Sequence, residues 1–184
     1  MMNIYLAGPD VFLPDAIAIG KQKAAVCARH GVRGHYPLDN AADLAAADAS
    51  LAIFKGNEAM MDASDAIIAN LTPFRGPSAD AGTVYELGYM AGRGKFCLAY
   101  SNDPAVYLER VRRFGTVTKS ADGRSTDQDG LTVVDFGWPT SGDSLVAEFI
   151  FPATVQVTAW HPGATGLAVA VVRSGQEQAS LVVG

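Results

Sequence analysis

Charge is scarce in this 184-residue chain: Asp, Glu, Lys and Arg make up 18% of it, against 49% apolar residues. Basic residues number only 14 against 19 acidic ones, a formal net charge of -5. A phosphate backbone is gripped by clustered Lys and Arg, so this balance argues against a nucleic-acid partner. The densest basic group, Arg110, Arg112 and Arg113, reads as a solvated helix face. Cys27 and Cys97 stand far apart inside apolar segments, which excludes a disulfide framework and predicts two buried free thiols. His30, His35 and His161 lack the spacing of metal ligands, so no zinc site is expected. No apolar run reaches the ~20 residues that span a bilayer, and no basic-then-apolar leader precedes the first apolar segment. A cytoplasmic protein with no membrane partner is the expectation. Neither Gly-x-Gly-x-x-Gly nor Gly-x-x-x-x-Gly-Lys-Ser/Thr occurs, which removes the usual phosphate cradles of dinucleotide and P-loop proteins.

What is present is an alternation of short apolar runs and longer helical patterns. Residues 3–8 read as a first buried strand, ended by Gly8-Pro9-Asp10. A helix follows, with Pro14 and Asp15 in its first turn, an apolar stripe of Ala16, Ile17, Ile19, Ala24, Val26 and Cys27, and Gly31 as its stop. Val32 to Tyr36 is a second strand, closed by Pro37 to Asn40. Residues 41–49 are alanine-rich, either helical or an irregular excursion. Leu51 to Ala63 is a firmer helix, with Ile53, Phe54, Met60 and Met61 apolar. Asp65 to Leu71 is a third strand, Val84 to Gly92 the core of the next helix, and Lys95 to Tyr100 a fourth strand. Pro104 to Phe114 is a helix with Val106, Leu108 and Val111 inward. Thr118 to Asp129 is polar and glycine-containing and reads as a loop; Leu131 to Phe136 reads as the fifth strand. Strands alternating with helices predict a doubly wound α/β sheet with right-handed crossovers. Residues 1–147 are expected as one domain and 148–184 as a C-terminal extension. In that extension, residues 155–158 and 167–172 look strand-like.

The chemistry concentrates after the third strand, in a loop marked by Pro73, Gly76, Pro77 and Gly82 that leads into the next helix. Ligands of open α/β sheets bind beyond the carboxyl ends of the strands, and Asp80 and Glu86 flank that turn. Glycosidic bond cleavage needs two such carboxylates, one as nucleophile and one to handle the proton. On spacing alone a second reading stands beside it: Asp80 caps the helix and Glu86 lies on its surface. Tyr5, on a strand expected beside Ile67–Leu71, is either a core aromatic or a hydroxyl that holds a carboxylate in the cleft.

Four segments, taken in order and spacing, carry a resemblance. They are residues 4–9 (Ile-Tyr-Leu-Ala-Gly-Pro), 36–40 (Tyr-Pro-Leu-Asp-Asn), 65–71 (Asp-Ala-Ile-Ile-Ala-Asn-Leu) and 80–89 (Asp-Ala-Gly-Thr-Val-Tyr-Glu-Leu-Gly-Tyr). Together they resemble the nucleoside 2-deoxyribosyltransferase family, over roughly residues 3 to 137. The resemblance implies a flavodoxin-like, mostly parallel five-stranded sheet with helices on both faces, ending here in an atypical C-terminal tail. It implies a retaining exchange in two steps. Glu86 aligns with the nucleophile that forms a deoxyribosyl ester, Asp80 with the carboxylate that serves the sugar and the proton traffic, and Tyr5 with the tyrosine that orients the nucleophile. Gly8, Pro9 and Asp10 fall where the first loop borders the base, with Phe12 close by. Asn57 stands where some members carry an aspartate near the base. Phe74, Ser78 and Gly82 complete the expected substrate-binding set, and Phe12, Phe74 and Tyr89 are candidates for a dry aromatic lining that slows hydrolysis. The implied partners are a 2'-deoxynucleoside and a free nucleobase, in a homo-oligomer, dimer or higher, whose sites are shared between subunits. No metal or redox cofactor is implied. One departure stands out: Asp135-Phe136-Gly137 is present, but the asparagine that follows it in the family is missing, leaving Asp143 or Ser144 as substitute partner for the sugar hydroxyls or else a diverged tail with reduced activity.

Two rivals to transfer remain at this level. One is a hydrolase of 2'-deoxynucleoside 5'-monophosphates, which uses the same carboxylates and needs hydroxyl or cationic groups, such as Ser78 and Arg75, around a phosphate. The other is a non-catalytic nucleotide-binding module on the same fold.

Overall fold

Strand β1 (Asn3–Ala7) is buried from Ile4 onward, and its side chains alternate between two separate layers of core. Ile4 and Leu6 join Cys27 and Tyr36 on one face; Tyr5 and Ala7 join Met61, Ile67, Leu87 and Met90 on the other. A strand buried on both faces is the pattern of a parallel sheet covered by helices. The computed structural model describes residues 1–39, 48–103 and 105–134, with the backbone of strand residues 167–168, 170–172 and 182–183.

The remaining central elements are α1 (Ala16–Arg29), β2 (Arg33–His35), α2 (Ala49–Ala63), β3 (Ala66–Asn70), α3 (Ala81–Gly92) and β4 (Phe96–Tyr100). They are followed by α4 (Tyr107–Arg112), β5 (Val117–Lys119), β6 (Ser125–Asp127), β7 (Thr132–Val133), β8 (Leu167–Ala168), β9 (Ala170–Val172) and β10 (Val182–Val183). The main sheet has the order β2-β1-β3-β4-β9, the first four strands parallel and β9 antiparallel to β4. In register, Tyr5 lies beside His35 on one side and Ile67 on the other, and Ile67 beside Cys97. Helix α1 covers one face, α2 and α3 the other, so the molecule is a flavodoxin-like, doubly wound α/β sheet. Cys27 and Cys97 are free and buried. Among the described residues no helix is long and apolar enough to cross a membrane.

Several expectations need correction. Residues 118–129 are not a plain loop. Strands β5, β6 and β7 form a separate antiparallel sheet, turned at Gly123 (φ 87°) and Gly130 (φ 81°), each preceded by an aspartate. Leu131 to Phe136 is therefore not the fifth strand of the main sheet: Thr132–Val133 pairs with β6, and the fifth position belongs to β9. The sheet of β5–β7 lets Val133 pack on Leu108 and Val111 of α4, a small third cluster. In α1 the buried positions are Ala16, Gly20 and Cys27, while Ile17 is two-thirds exposed. In α2 only Met61 is buried; Ile53 and Phe54 face outward. Arg110 is not on a solvated face but buried, its guanidinium 5.6 Å from the Tyr107 ring, whereas Arg112 pairs with Glu109 and Arg113 with Asp103. Expectations for residues 40–47, for Pro104, for Asp135-Phe136-Gly137, for Asp143 and Ser144, and for residues 155–158 lie outside the described residues.

Candidate active site

Three elements converge on one carboxylate. Glu86 sits in the second turn of α3, Tyr5 in the middle of β1 and Asn57 in α2. The Tyr5 hydroxyl donates to Glu86 Oε1 at 2.6 Å, and Asn57 Nδ2 approaches the same oxygen at 3.5 Å. Both donors fall on Oε1, and Oε2 receives no hydrogen bond from the described residues. Tyr5 is wholly buried, placed by its strand register between β2 and β3. Burial raises its hydroxyl above the ordinary phenol range, and the neighbouring Glu86 charge raises it further. It is thus a donor that keeps its proton.

Burial also governs Glu86. Removal from water pushes its carboxyl from 4.5 up to about 7; the Tyr5 hydrogen bond opposes this, Asp80 adds to it, and Asn57 opposes it weakly. A carboxyl with that midpoint is half ionised at neutral pH, suited to act as nucleophile when charged and to hold a proton when not.

Asp80 is the N-cap of α3: its Oδ2 accepts from the Thr83 backbone N–H at 2.9 Å and from Thr83 Oγ1 at 3.0 Å. The cap reading and the site reading of this residue coexist, because one oxygen holds the helix while the charge reaches Glu86. Gly82 follows in the first turn, where a Cβ would stand 3.1 Å from Asp80 Oδ2.

The other sequence-derived candidates lie in the loops at the carboxyl ends of β1 and β3. Pro9 to Phe12 form a short 3-10 turn after the buried Gly8. Phe12, 55% exposed, stacks on Phe74 with ring centres 5.0 Å apart and planes 16° from parallel. Arg75 lies over both rings, 4.8 Å from Phe74 and 5.5 Å from Phe12, in a left-handed conformation (φ 55°) rare outside glycine. Phe74 N–H is fixed by the Ser78 carbonyl at 2.9 Å, and Ser78 itself is exposed. Tyr89, a lining candidate, instead donates to Asp62 of α2 at 3.0 Å with Arg93 over its ring at 3.7 Å. Asp10 turns its carboxylate inward: Oδ2 accepts from Lys23 Nζ at 2.5 Å and from Asn70 Nδ2 at 3.1 Å.

Lys23 and Asn70 escaped the reading of the sequence. Lys23 left a signal: it is four residues after Ile19 and four before Cys27, a cation on the side of α1 that faces the sheet. Asn70 left a weaker one, a polar residue ending an otherwise apolar strand.

Comparison with known proteins gives a consistent picture. The sequence pattern of the family described as nucleoside 2-deoxyribosyltransferase matches residues 4–142. A solved structure, the 2-desoxiribosyltransferase from Leishmania mexicana, is 33% identical, with a TM-score of 0.59 over 82% of this chain and 97% of that one. An uncharacterised protein of Schizosaccharomyces pombe is 35% identical over 150 residues, 73% of this chain and 71% of the relative.

Proposed function

Given that the chain belongs to the nucleoside 2-deoxyribosyltransferase family, we propose that it moves 2-deoxyribose from one nucleobase to another through an ester on Glu86. One observation carries the reading: a glutamate on the α3 helix, half-hidden from water, is held by a phenol that keeps its own proton.

In the first step Glu86 Oε2 attacks the anomeric carbon of a 2'-deoxynucleoside as the bond to the base nitrogen breaks. The bonding electrons leave on the base, which takes up a proton delivered by Asp80. In the second step a nitrogen of the incoming base attacks the same carbon and gives up its proton to Asp80, the ester bond breaks, and the Glu86 carboxylate is regenerated. Two inversions give net retention. Tyr5 and Asn57 hold Oε1, leaving Oε2 as the attacking atom and fixing its direction. Asp80, with one oxygen committed to Thr83, serves the sugar and the base proton with the other. The stacked Phe12 and Phe74 form an apolar wall for the base, with Gly8, Pro9 and Asp10 as its floor. Water competes as acceptor, and a wall of this kind slows it. The site is completed by a neighbouring copy of the chain, with Asp143 as partner of a sugar hydroxyl.

The test is mass spectrometry of the protein mixed with a deoxynucleoside and no acceptor base. An added deoxyribosyl group on the peptide containing Glu86, discharged by adenine to give deoxyadenosine, is the expected result. Free deoxyribose alone, formed without a trapped ester or any exchange, would sink the proposal. A second reading, hydrolysis of 2'-deoxynucleoside 5'-monophosphates, is favoured by Arg75, an exposed cation lying over the aromatic pair. Turnover of dGMP in preference to deoxyguanosine would select it.

A further inference from the structure

Lys23 is the one cation on α1 that points toward the sheet rather than into solvent, and it lies on the opposite face of the sheet from Glu86. Its side chain is 23% exposed, and its ammonium meets Asp10 Oδ2 at 2.5 Å and lies 5.8 Å from the Tyr100 ring centre. The same Asp10 oxygen takes the Asn70 Nδ2 hydrogen bond at 3.1 Å. Asn70 Oδ1 in turn accepts from Thr72 N–H at 3.1 Å and from Thr72 Oγ1 at 2.5 Å, and Thr72 Oγ1 accepts from Asn102 N–H at 2.9 Å. One continuous chain of polar contacts thus joins α1 to the carboxyl ends of β1, β3 and β4.

Its geometry is tight. A Cβ on Gly8 would stand 2.6 Å from Asp10 Oδ2 and 2.8 Å from Asn70 Cβ, so the turn approaches the strand end only because residue 8 has no side chain. Phe12 follows Asp10 by two residues and Phe74 follows Asn70 by four. Both stacked rings therefore hang from the two residues that the Asp10–Asn70 hydrogen bond clamps together. Phe12 is too exposed to be held by burial alone; the clamp fixes the backbone two residues before it, while Arg75 and the Ser78 carbonyl hold the Phe74 side of the pair. A partly buried carboxylate accepting two donors, one of them charged, makes a strong clamp.

We infer that Lys23, from the far face of the sheet, is a positioning residue that fixes the Phe12–Phe74 pair through Asp10 and so sets the wall against which a planar base is received. This extends the deoxyribosyl-transfer reading to base recognition and rests on it for the identity of the ligand, but not for the positioning itself.

The experiment has two arms. In the first, ring-labelled phenylalanine is followed by NMR without any substrate. The full-length protein shows cross-peaks between the rings of Phe12 and Phe74; Lys23→Met loses them, and Lys23→Arg keeps them. Asp10→Asn, which preserves shape and removes the charge that Lys23 binds, weakens them and guards against simple misfolding of the methionine variant. In the second arm, Lys23→Met raises KM for the acceptor base about tenfold and changes kcat less than twofold. A general loss of stability would not produce that split. Retention of the ring cross-peaks in Lys23→Met overturns the inference, and so does their loss with KM unchanged. A wild-type protein that transfers no sugar sinks the functional reading instead, and the ring arm then decides the positioning claim alone.

Discussion

At the scale of single residues, burial of the Glu86 carboxyl makes the fold and the candidate site sensitive to pH. Its folded midpoint of about 7 lies above the ordinary 4.5, so the fold favours the protonated form. The cost of ionising it is absent below about 4.5, grows between there and 7, and is fully present above. On the proposed mechanism the Glu86 nucleophile must be ionised, so ester formation is expected to rise with pH and level off above 7. Neighbours move that limb in opposite directions. Tyr5→Phe removes a hydrogen bond that favours the carboxylate and shifts the limb to higher pH. Asp80→Asn keeps a good cap, removes a like charge and shifts it to lower pH; single-turnover rates from pH 5 to 9 read both. Asp80→Ala adds a loss of about 1 kcal/mol of stability, because the Thr83 N–H is left uncapped. Glu86→Gln abolishes ester formation and stabilises the fold at pH 8 by up to about 2 kcal/mol, with little gain at pH 4. Thermal midpoints at the two pH values check it; equal gains at both would show that Glu86 carries no strain of ionisation. This candidate site was half legible in the sequence. The residue types and order of Tyr5, Asp80 and Glu86 were readable, but the double use of Asp80 depends on which oxygen faces Thr83, a matter of three-dimensional placement.

Elements show why the site stays where it is. Helix α3 is launched by the Asp80 cap, while α2, which brings Asn57, is held at its far end by Lys95 at the start of β4. Lys95 Nζ donates to the carbonyls of Met61, Asp62 and Ser64 at 2.9, 2.6 and 2.6 Å. A cation on the last carbonyls of a helix satisfies orphan acceptors and the negative end of the dipole together. Lys95→Met is expected to lower stability by about 1–2 kcal/mol, and hydrogen exchange should rise first in the last turn of α2. Uniform exchange throughout the chain would argue against a local clamp. The element order from β1 to α4 was legible because the five-residue, largely apolar strands β1, β3 and β4 alternate with longer helical patterns, and the polar β2 is marked by Gly31 before it and Pro37 after it. The sheet of β5–β7 was not: Val117-Thr118-Lys119 and Ser125-Thr126-Asp127 are polar, and only the Asp122-Gly123 and Asp129-Gly130 pairs announce turns. The stripe of α1 misled for a similar reason, since Gly20 is buried by packing under the Tyr36 ring and Ile17 is not.

For the molecule as a whole, the sheet is closed on one side by a strand that runs against the rest. Strand β9 pairs through Cys97↔Val172, Leu98↔Val171 and Ala99↔Ala170, so β4 is an interior strand. Val171→Pro places a ring of fixed φ at the middle of the three β9 pairings and is expected to lower hydrogen-exchange protection across β4, leaving β1 unchanged. Equal loss in β1 and β4 would instead indicate global unfolding. No local rule ties residue 171 to residue 98; a pairing separated by that much chain is set by the free edge left over once the parallel strands are in place. The same holds for Lys23 and Asp10, whose meeting depends on how α1 lies across the sheet.

The antiparallel edge has a temporal consequence. Seventy positions separate Tyr100 from Ala170. At roughly 5–20 residues per second, a ribosome takes about 4 to 14 seconds to travel between them. Once β4 has left the ribosome and before β9 arrives, the nascent protein can bring Glu86 and Tyr5 together while a row of unsatisfied main-chain groups lies open along β4. A newborn copy thus passes through a window in which the parallel edge at β4 is bare, before the short antiparallel strand β9 takes its place at the border of the sheet.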